Sequence, residues 1–219
     1  MTDAVAVSGL APSGFSDQFV QLVLHFRERD GASGAWTDTT FIRRRPVPEK
    51  REGALEEVVV LPRRENASDW AVAVTQSAAR RGILDHADPP IREGPLALSD
   101  IVVGQASQHL AWTSGDDSVV LAPLGSIDRK EAVDLFVQVR TEQQLGSATA
   151  TFRAYRVDHG KRADHAAIQI VFPMTLPTGL AGVHKGLDLS HIHSGRYLLE
   201  FSVKSAGLER VQGTEILVR

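Results

Sequence analysis

Three histidines and an acid crowd into "HKGLDLSHIH", residues 184–193 of the 219-residue chain. His184, Asp188, His191 and His193 are the residue types that ligate a transition metal where cysteine is absent. A zinc site of that kind needs three or four such ligands converging at about 2 Å. His191 and His193 are two apart, so an extended strand would point both imidazoles to one side. Two readings are open: a metal centre, or the polar entrance to the strand that follows. Glycines and serines surround the four residues, and their spacing does not fit the His-Glu-x-x-His pattern of a helical zinc site. The second reading is preferred. "HIHSGRY" (191–197) is expected to be part of an exposed loop, with Tyr197 the first buried residue. His25 and His165 are expected on the wet faces of strands.

Other chemistry is scarcer. There is no Gly-x-Ser-x-Gly elbow, no Walker-type phosphate loop and no Gly-x-Gly-x-x-Gly after a strand. The chain has no cysteine, which excludes disulfides, thiolate zinc sites and a cysteine nucleophile. "SGDDS" (114–118) sets two acids in a turn, either a weak calcium ligand or an acidic hairpin tip. "FIRRRPVPEKRE" (41–52) is the densest basic stretch. Arg43, Arg44, Arg45, Lys50 and Arg51 flank a Pro-Val-Pro that should be extended and stiff. It reads as a docking arm for an acidic protein surface or anionic headgroups, or as a solvated loop partly neutralised by Glu49 and Glu52. Trp36 and Trp112 lie near turns, where an aromatic can stack on a sugar or anchor a partner. Trp70 and Trp36 are assigned to the core, and Trp112 is expected to be partly exposed.

The elements that would position these residues are strands. In "FVQLVLHF" (19–26) Val20, Leu22, Leu24 and Phe26 share one face. In "DWAVAVTQ" (69–76) Trp70, Val72 and Val74 do the same. In "RYLLEFSVKS" (196–205) Tyr197, Leu199, Phe201 and Val203 stand against Leu198, Glu200, Ser202 and Lys204. This is the alternation of half-buried strands. Gly, Pro, Asp and Ser clusters such as "RDGASG" and "PTGLAG" punctuate them. "KEAVDLFVQVRTEQQL" also fits a helix. A weak internal repeat decides for strand: "LVLHFRE" (22–28) matches "LFVQVRT" (135–141), "TTFIRR" (39–44) matches "ATFRAY" (150–155), and "VVVLP" (58–62) matches "QIVFP" (169–173). Trp70 matches Tyr197, and "MTLPTGLAGVHKGLDLSHIHS" (174–194) stands as an insertion in the second half.

The expected fold is all-β: two tandem immunoglobulin/fibronectin-III-like β-sandwich domains, at 1–94 and 95–219, divided near "DPPIREGP" (88–95). With 42% hydrophobic and 23% charged residues and a net charge of -3, the chain has a folded composition without the basic excess of a nucleic-acid binder. The N-terminus does not read as a signal peptide and no run is long and apolar enough to span a bilayer, which predicts a cytoplasmic protein or one peripheral to a membrane complex.

"LALSDIVVG" (96–104), "VVLAP" (119–123), "VDLFVQVRTEQQLG" and "SGRYLLEFSV" together resemble the C-terminal β-sandwich region of bacterial GWxTD-domain proteins. Leu98, Ser99, Asp100 and Ile101 carry the opening strand; Gly195, Tyr197 and Leu199 carry the late one. The motif that names the family is absent, since "GAWTD" (34–38) has its letters in another order. The resemblance implies an immunoglobulin-like module. The expected function is a non-enzymatic structural subunit that bridges or caps a larger assembly, such as a respiratory or photosynthetic complex. Its partners would be other protein subunits, with no nucleic acid and no cofactor. Any membrane contact would go through partners or the basic loop. The alternatives are a carbohydrate-binding module using Trp112 or Trp36, and a metal-binding protein using the histidines at 184–193.

Overall fold

The computed structural model describes residues 2–10, 19–46, 54–62, 67–76, 81–87, 94–108, 111–114, 117–122 and 125–219. Every regular element among them is a strand, so the alternating patterns outweigh the one segment that could have been helical. No helix in the described residues is long and apolar enough to cross a membrane. Two units divide the chain, Met1–Pro90 and Ile91–Arg219.

Unit 1 contains β1 (Thr2–Leu10), β2 (Phe19–Asp30), β3 (Trp36–Pro46), β4 (Ala54–Pro62), β5 (Ala67–Gln76) and β6 (Arg81–Ala87). They form a four-stranded sheet in the order β3-β2-β5-β6 and a two-stranded sheet of β1 and β4. Along β2 the faces alternate: Leu24, Phe26 and Glu28 are buried, while His25, Arg27 and Arg29 are exposed. The β2–β3 turn is built by Asp30. Its carboxylate accepts hydrogen bonds from Ala32 N (3.0 Å), Ser33 N (2.7 Å) and Ser33 Oγ (2.9 Å), and Gly34 supplies a φ of 69°.

Unit 2 contains β7 (Leu96–Leu98), β8 (Val102–Gln105), β9 (Ala111–Ser114), β10 (Asp117–Val120), β11 (Ser126–Ile127) and β12 (Val133–Thr141). They are followed by β13 (Gly146–Asp158), β14 (Lys161–Arg162), β15 (Ile168–Leu176), β16 (Gly179–Leu187), β17 (Gly195–Ser205) and β18 (Leu208–Val218). One sheet has β12 at its centre, with β16 on one side and β7 and β8 on the other. The facing sheet runs β11-β18-β17-β13, with β14 and β15 both pairing β13. The inward faces meet in one core: Val133, Leu135, Val137 and Val139 from β12, Ala150 and Phe152 from β13, Tyr197, Leu199, Phe201 and Val203 from β17. Phe152 and Phe201 meet with ring centroids 4.5 Å apart. Each of the Val, Leu and Phe side chains among them contributes about 1.5–3 kcal/mol by leaving water. This is an immunoglobulin/fibronectin-III-like sandwich.

The pairing pattern of unit 1 recurs in unit 2, shifted by one strand from the sequence repeat. In unit 1, β2 pairs β3 and β5, β5 pairs β6, and β1 pairs β4. In unit 2, β13 pairs β15 and β17, β17 pairs β18, and β12 pairs β16. So β2 holds the place of β13, not of β12 as the match of "LVLHFRE" to "LFVQVRT" implied. Only the match of β5 to β17 keeps its partner. Apolar alternation is common to every core strand of a sandwich, so short matches identify a strand without saying which one. Residues 179–187, read as part of an insertion loop, are the strand β16. Its three glycines (Gly179, Gly182, Gly186) dilute the alternation, yet Val183 and Leu187 are buried.

Two hairpins of unit 2 turn on residue pairs with positive φ: His159-Gly160 (53° and 76°) and Ala206-Gly207 (48° and 80°). Both positions of this mirror-image turn favour Gly, Asn or Asp, and alanine is strained there. Ala206→Asn is therefore expected to stabilise unit 2 by about 0.5–1 kcal/mol. Urea unfolding midpoints of the two proteins check this, and an unchanged or lower midpoint would refute it.

Candidate functional site

The histidine stretch is the corner that carries the chain from β16 into β17. Leu187, Leu189 and Ile192 are buried in the core, so Tyr197 is not the first buried residue. An irregular turn has no period of two, which is why Leu189 and Ile192 were hidden among polar neighbours. Asp188 shapes the turn by accepting a hydrogen bond from Ser190 N at 2.8 Å, and that bond holds its carboxyl below the usual range. Tyr197 is fully inside, and its hydroxyl donates to the His193 carbonyl at 2.9 Å. This is the tyrosine corner of immunoglobulin-like sandwiches. The main chain of His193 is thus used, while the rings of His191 and His193 stand in solvent. His184 lies on β16, opposite Phe136 of β12. The described residues hold no group of three or more His, Asp or Glu arranged to take a metal ion. His25 is exposed on β2, with Nδ1 3.1 Å from Thr40 Oγ1; His165 is exposed in the turn before β15 rather than on a strand.

His184 belongs instead to an aromatic group with Trp112. Phe136 points to the outer face of its sheet, yet it is 1% exposed. The β9–β10 hairpin lies over it. Trp112 approaches Phe136 edge-on at 6.1 Å between centroids, and the His184 ring lies 4.6 Å from Phe136, tilted by 48°. Trp112 is half-buried, and its packing on Phe136 anchors the hairpin. Gly115 and Asp116, at the tip of the acidic turn, lie outside the described residues.

Arg43 and Arg44 sit inside β3 rather than in a loop, because β3 runs to Pro46. Strand alternation separates them. Arg44 is on the outward face with Trp36, Asp38, Thr40 and Ile42, whereas Arg43 is half-buried on the other side, its guanidinium 5.9 Å from the centre of the Phe41 ring. The Arg45 side chain, Lys50 and Arg51 lie outside the described residues.

The sheet register brings together a group that the linear pattern did not show. Arg27 lies opposite Asp38 and Arg29 opposite Trp36. The Arg27 guanidinium grips the Asp38 carboxylate with bonds of 2.6 and 3.0 Å, and its carbon is 5.6 Å from the centre of the Trp36 ring. That ion pair holds the Asp38 carboxyl below its usual range and raises the Arg27 guanidinium further. Trp36 is 45% exposed and Ile42 56% exposed, so Trp36 is a surface residue and not part of the core. The available signal was the Asp-Gly-Ala-Ser-Gly turn. A hairpin closing there pairs residues whose numbers sum to 65, and that sum joins 27 with 38 and 29 with 36.

The corresponding outer sheet face of unit 2 mixes apolar and polar side chains. A row across β15, β13, β17 and β18 places exposed Val171 and Val211 at its ends and buried Thr151 and Ser202 between them. Beside it Arg153 bonds Gln169 at 3.1 Å, and Arg162 bonds Glu200 at 2.6 Å while lying 4.4 Å over the Tyr155 ring. Between the two sheets, Lys185 of β16 sits 4.3 Å over Phe172 of β15.

No family model and no curated protein matches the chain. Among solved structures it is similar to a red sea bream transglutaminase, at 13% identity and a TM-score of 0.31, with 100% of this chain laid over 29% of that one. A likeness at that level carries nothing about activity from that enzyme to this chain.

Proposed function

We propose that the protein is a non-enzymatic structural and protein-interaction subunit, whose sandwiches bridge or cap a larger assembly. One observation carries this reading. The six large apolar side chains most exposed among the described residues all lie on strands: Trp36, Ile42, Val171, Leu180, Val211 and Leu217. Apolar surface held on hydrogen-bonded strands is rigid, so a partner can cover it with little loss of entropy. The polar side chains of unit 2 support the same reading, because several serve the fold. The buried Gln105 amide donates to the carbonyls of Asp128 (2.7 Å) and Glu131 (3.1 Å) and accepts from Asp128 N (2.8 Å). Ser205 Oγ lies 2.9 Å from the Ser147 carbonyl.

The native mass tests it. Extracted from its source cells in gentle detergent, the protein is expected to migrate in a complex well above its own 23.8 kDa, with the same chains co-purifying at fixed stoichiometry. Migration at the monomer mass, with no co-purifying chain, would overturn the reading.

A further inference from the structure

We infer that the edge of β1 facing away from β4 is a strand-acceptor site, which pairs with an extended apolar segment of a partner subunit running antiparallel to β1. This inference rests on the subunit reading above and names where the partner attaches and in what form.

The two units locate the site between them. By pairing pattern β1 corresponds to β12, β4 to β16 and β6 to β18. β12 is hydrogen-bonded on both sides, by β16 on one and by β7 and β8 on the other, all antiparallel. Among the described residues β1 pairs β4 alone. Its other side presents a row of backbone N–H and C=O groups, the template for an added strand.

Unit 2 shows what covers such a place. The segment of β7 and β8 brings Leu96, Ile101 and Val103 into the core. β18 lies against it: Arg210 Nε donates to the Leu96 carbonyl at 3.2 Å, and Gln212 Nε2 donates to Asp100 Oδ1 at 2.9 Å. By the same correspondence, a strand beside β1 would lie over β6. The occupant therefore supplies main chain to β1 and large apolar side chains, at alternate positions, to the core of unit 1. β1 has nine residues, about 30 Å at 3.4 Å per residue, which sets the length of the segment.

A second copy of this chain does not fit. Neighbouring antiparallel strands are related by a twofold axis perpendicular to their sheet, so both copies would keep their four-stranded sheets on the same side. Each β6 reaches past its own β1, and the two would collide. The edge is also unguarded. Exposed edges are normally blunted by charge or proline. β3 has Arg43, Arg44, Arg45 and Pro46, and β15 has Pro173, with Lys185 over its Phe172. β1 has one charge, Asp3, and no proline.

Hydrogen–deuterium exchange of the full chain, purified alone and in the native complex, reads the main chain of β1. Alternate residues of an edge strand aim their N–H groups outward. Those of β1 are expected to exchange freely in the purified chain and about a hundredfold more slowly in the complex. A photo-crosslinking benzoylphenylalanine at position 3 or 8, which lie on opposite faces of the strand, should capture a partner segment with apolar residues at alternate positions. Proline is then placed at each of two neighbours, Ala4→Pro and Val5→Pro. One of these N–H groups faces β4 and the other faces outward. The outward variant should keep the exchange protection of β2 and β5 and recover about tenfold less partner.

Outward amides that exchange as fast in the intact complex as in the purified chain would overturn the inference and leave the subunit reading standing. So would amides already protected in the purified monomer, protection that appears with a doubled mass on concentrating the purified chain, or a captured segment without apolar alternation. If the unsubstituted protein runs alone at its monomer mass, both fail.

Discussion

Gly104→Ala is expected to destabilise unit 2 by about 3 kcal/mol, a large effect for one methyl group. Gly104 lies in β8, where β10 crosses it. A Cβ at this position would be driven into the carbonyl of Val120, with Leu121 N at 3.1 Å. Both obstacles are main chain, so no rotamer change makes room. Ala122 N donates to the Val103 carbonyl at 2.7 Å, which ties the exit of β10 to β8 directly beside the collision. The hairpin would have to lift, exposing Val119, Leu121 and the outer side of Phe136, all now buried. Urea denaturation gives the magnitude. The near-ultraviolet circular dichroism of Trp112 against Phe136 reports the hairpin itself and should be lost in the variant. Gly186→Ala is the control: a Cβ there meets nothing within 4 Å, and the change should stay within about 0.5 kcal/mol. A cost below 1 kcal/mol at Gly104 would mean that the hairpin is not seated on β8.

The second large effect is at Tyr197, and it should separate into two parts. Tyr197→Phe removes the hydroxyl that donates to the His193 carbonyl and keeps the ring. It is expected to cost about 1–2 kcal/mol, because a shielded acceptor loses its partner. Tyr197→Ala also removes a ring packed in the core at 2% exposure and should cost about 3–5 kcal/mol. The difference between the two measures core filling; the first step alone measures the corner. Substitution of the exposed histidines, His191→Ala with His193→Ala, should leave stability within about 0.5 kcal/mol, since His193 contributes its carbonyl and not its ring. Equal costs for Tyr197→Phe and Tyr197→Ala would contradict this division. Loss of several kcal/mol in the histidine double variant would contradict the structural account of the corner.

These two positions differ in how visible they were beforehand. Tyr197 begins a strand whose alternation is unambiguous, and its burial follows from that pattern alone. Gly104 lies in "IVVGQ", where a glycine between apolar and polar residues has many explanations. Its role comes from a hairpin that returns to cross it, a contact between residues 16 apart that no local pattern encodes. The tie in "KEAVDLFVQVRT" was resolved correctly as strand, although the repeat used to resolve it was out by one strand. The alternation was informative and the alignment was not.

The same division applies to the candidate surface. Composition showed a cluster of arginines at 43–45 and a tryptophan at 36, and neither could be oriented. Once β3 is a strand, alternation sends Arg43 and Arg44 to opposite sides, so the basic cluster is not one patch. Once β2 pairs with β3, Arg27 from the preceding strand becomes a neighbour of Trp36. What the chain determined by itself is the all-β class and, for strands with clean alternation such as β2, β12 and β17, which side is apolar, because both depend on a period of two along the backbone. Which strands pair, which outward faces a hairpin covers and which charges become neighbours were decided only in three dimensions. Those outcomes depend on hydrogen bonds and packing between segments far apart in sequence, and many pairings satisfy the same local pattern until the whole sheet is assembled.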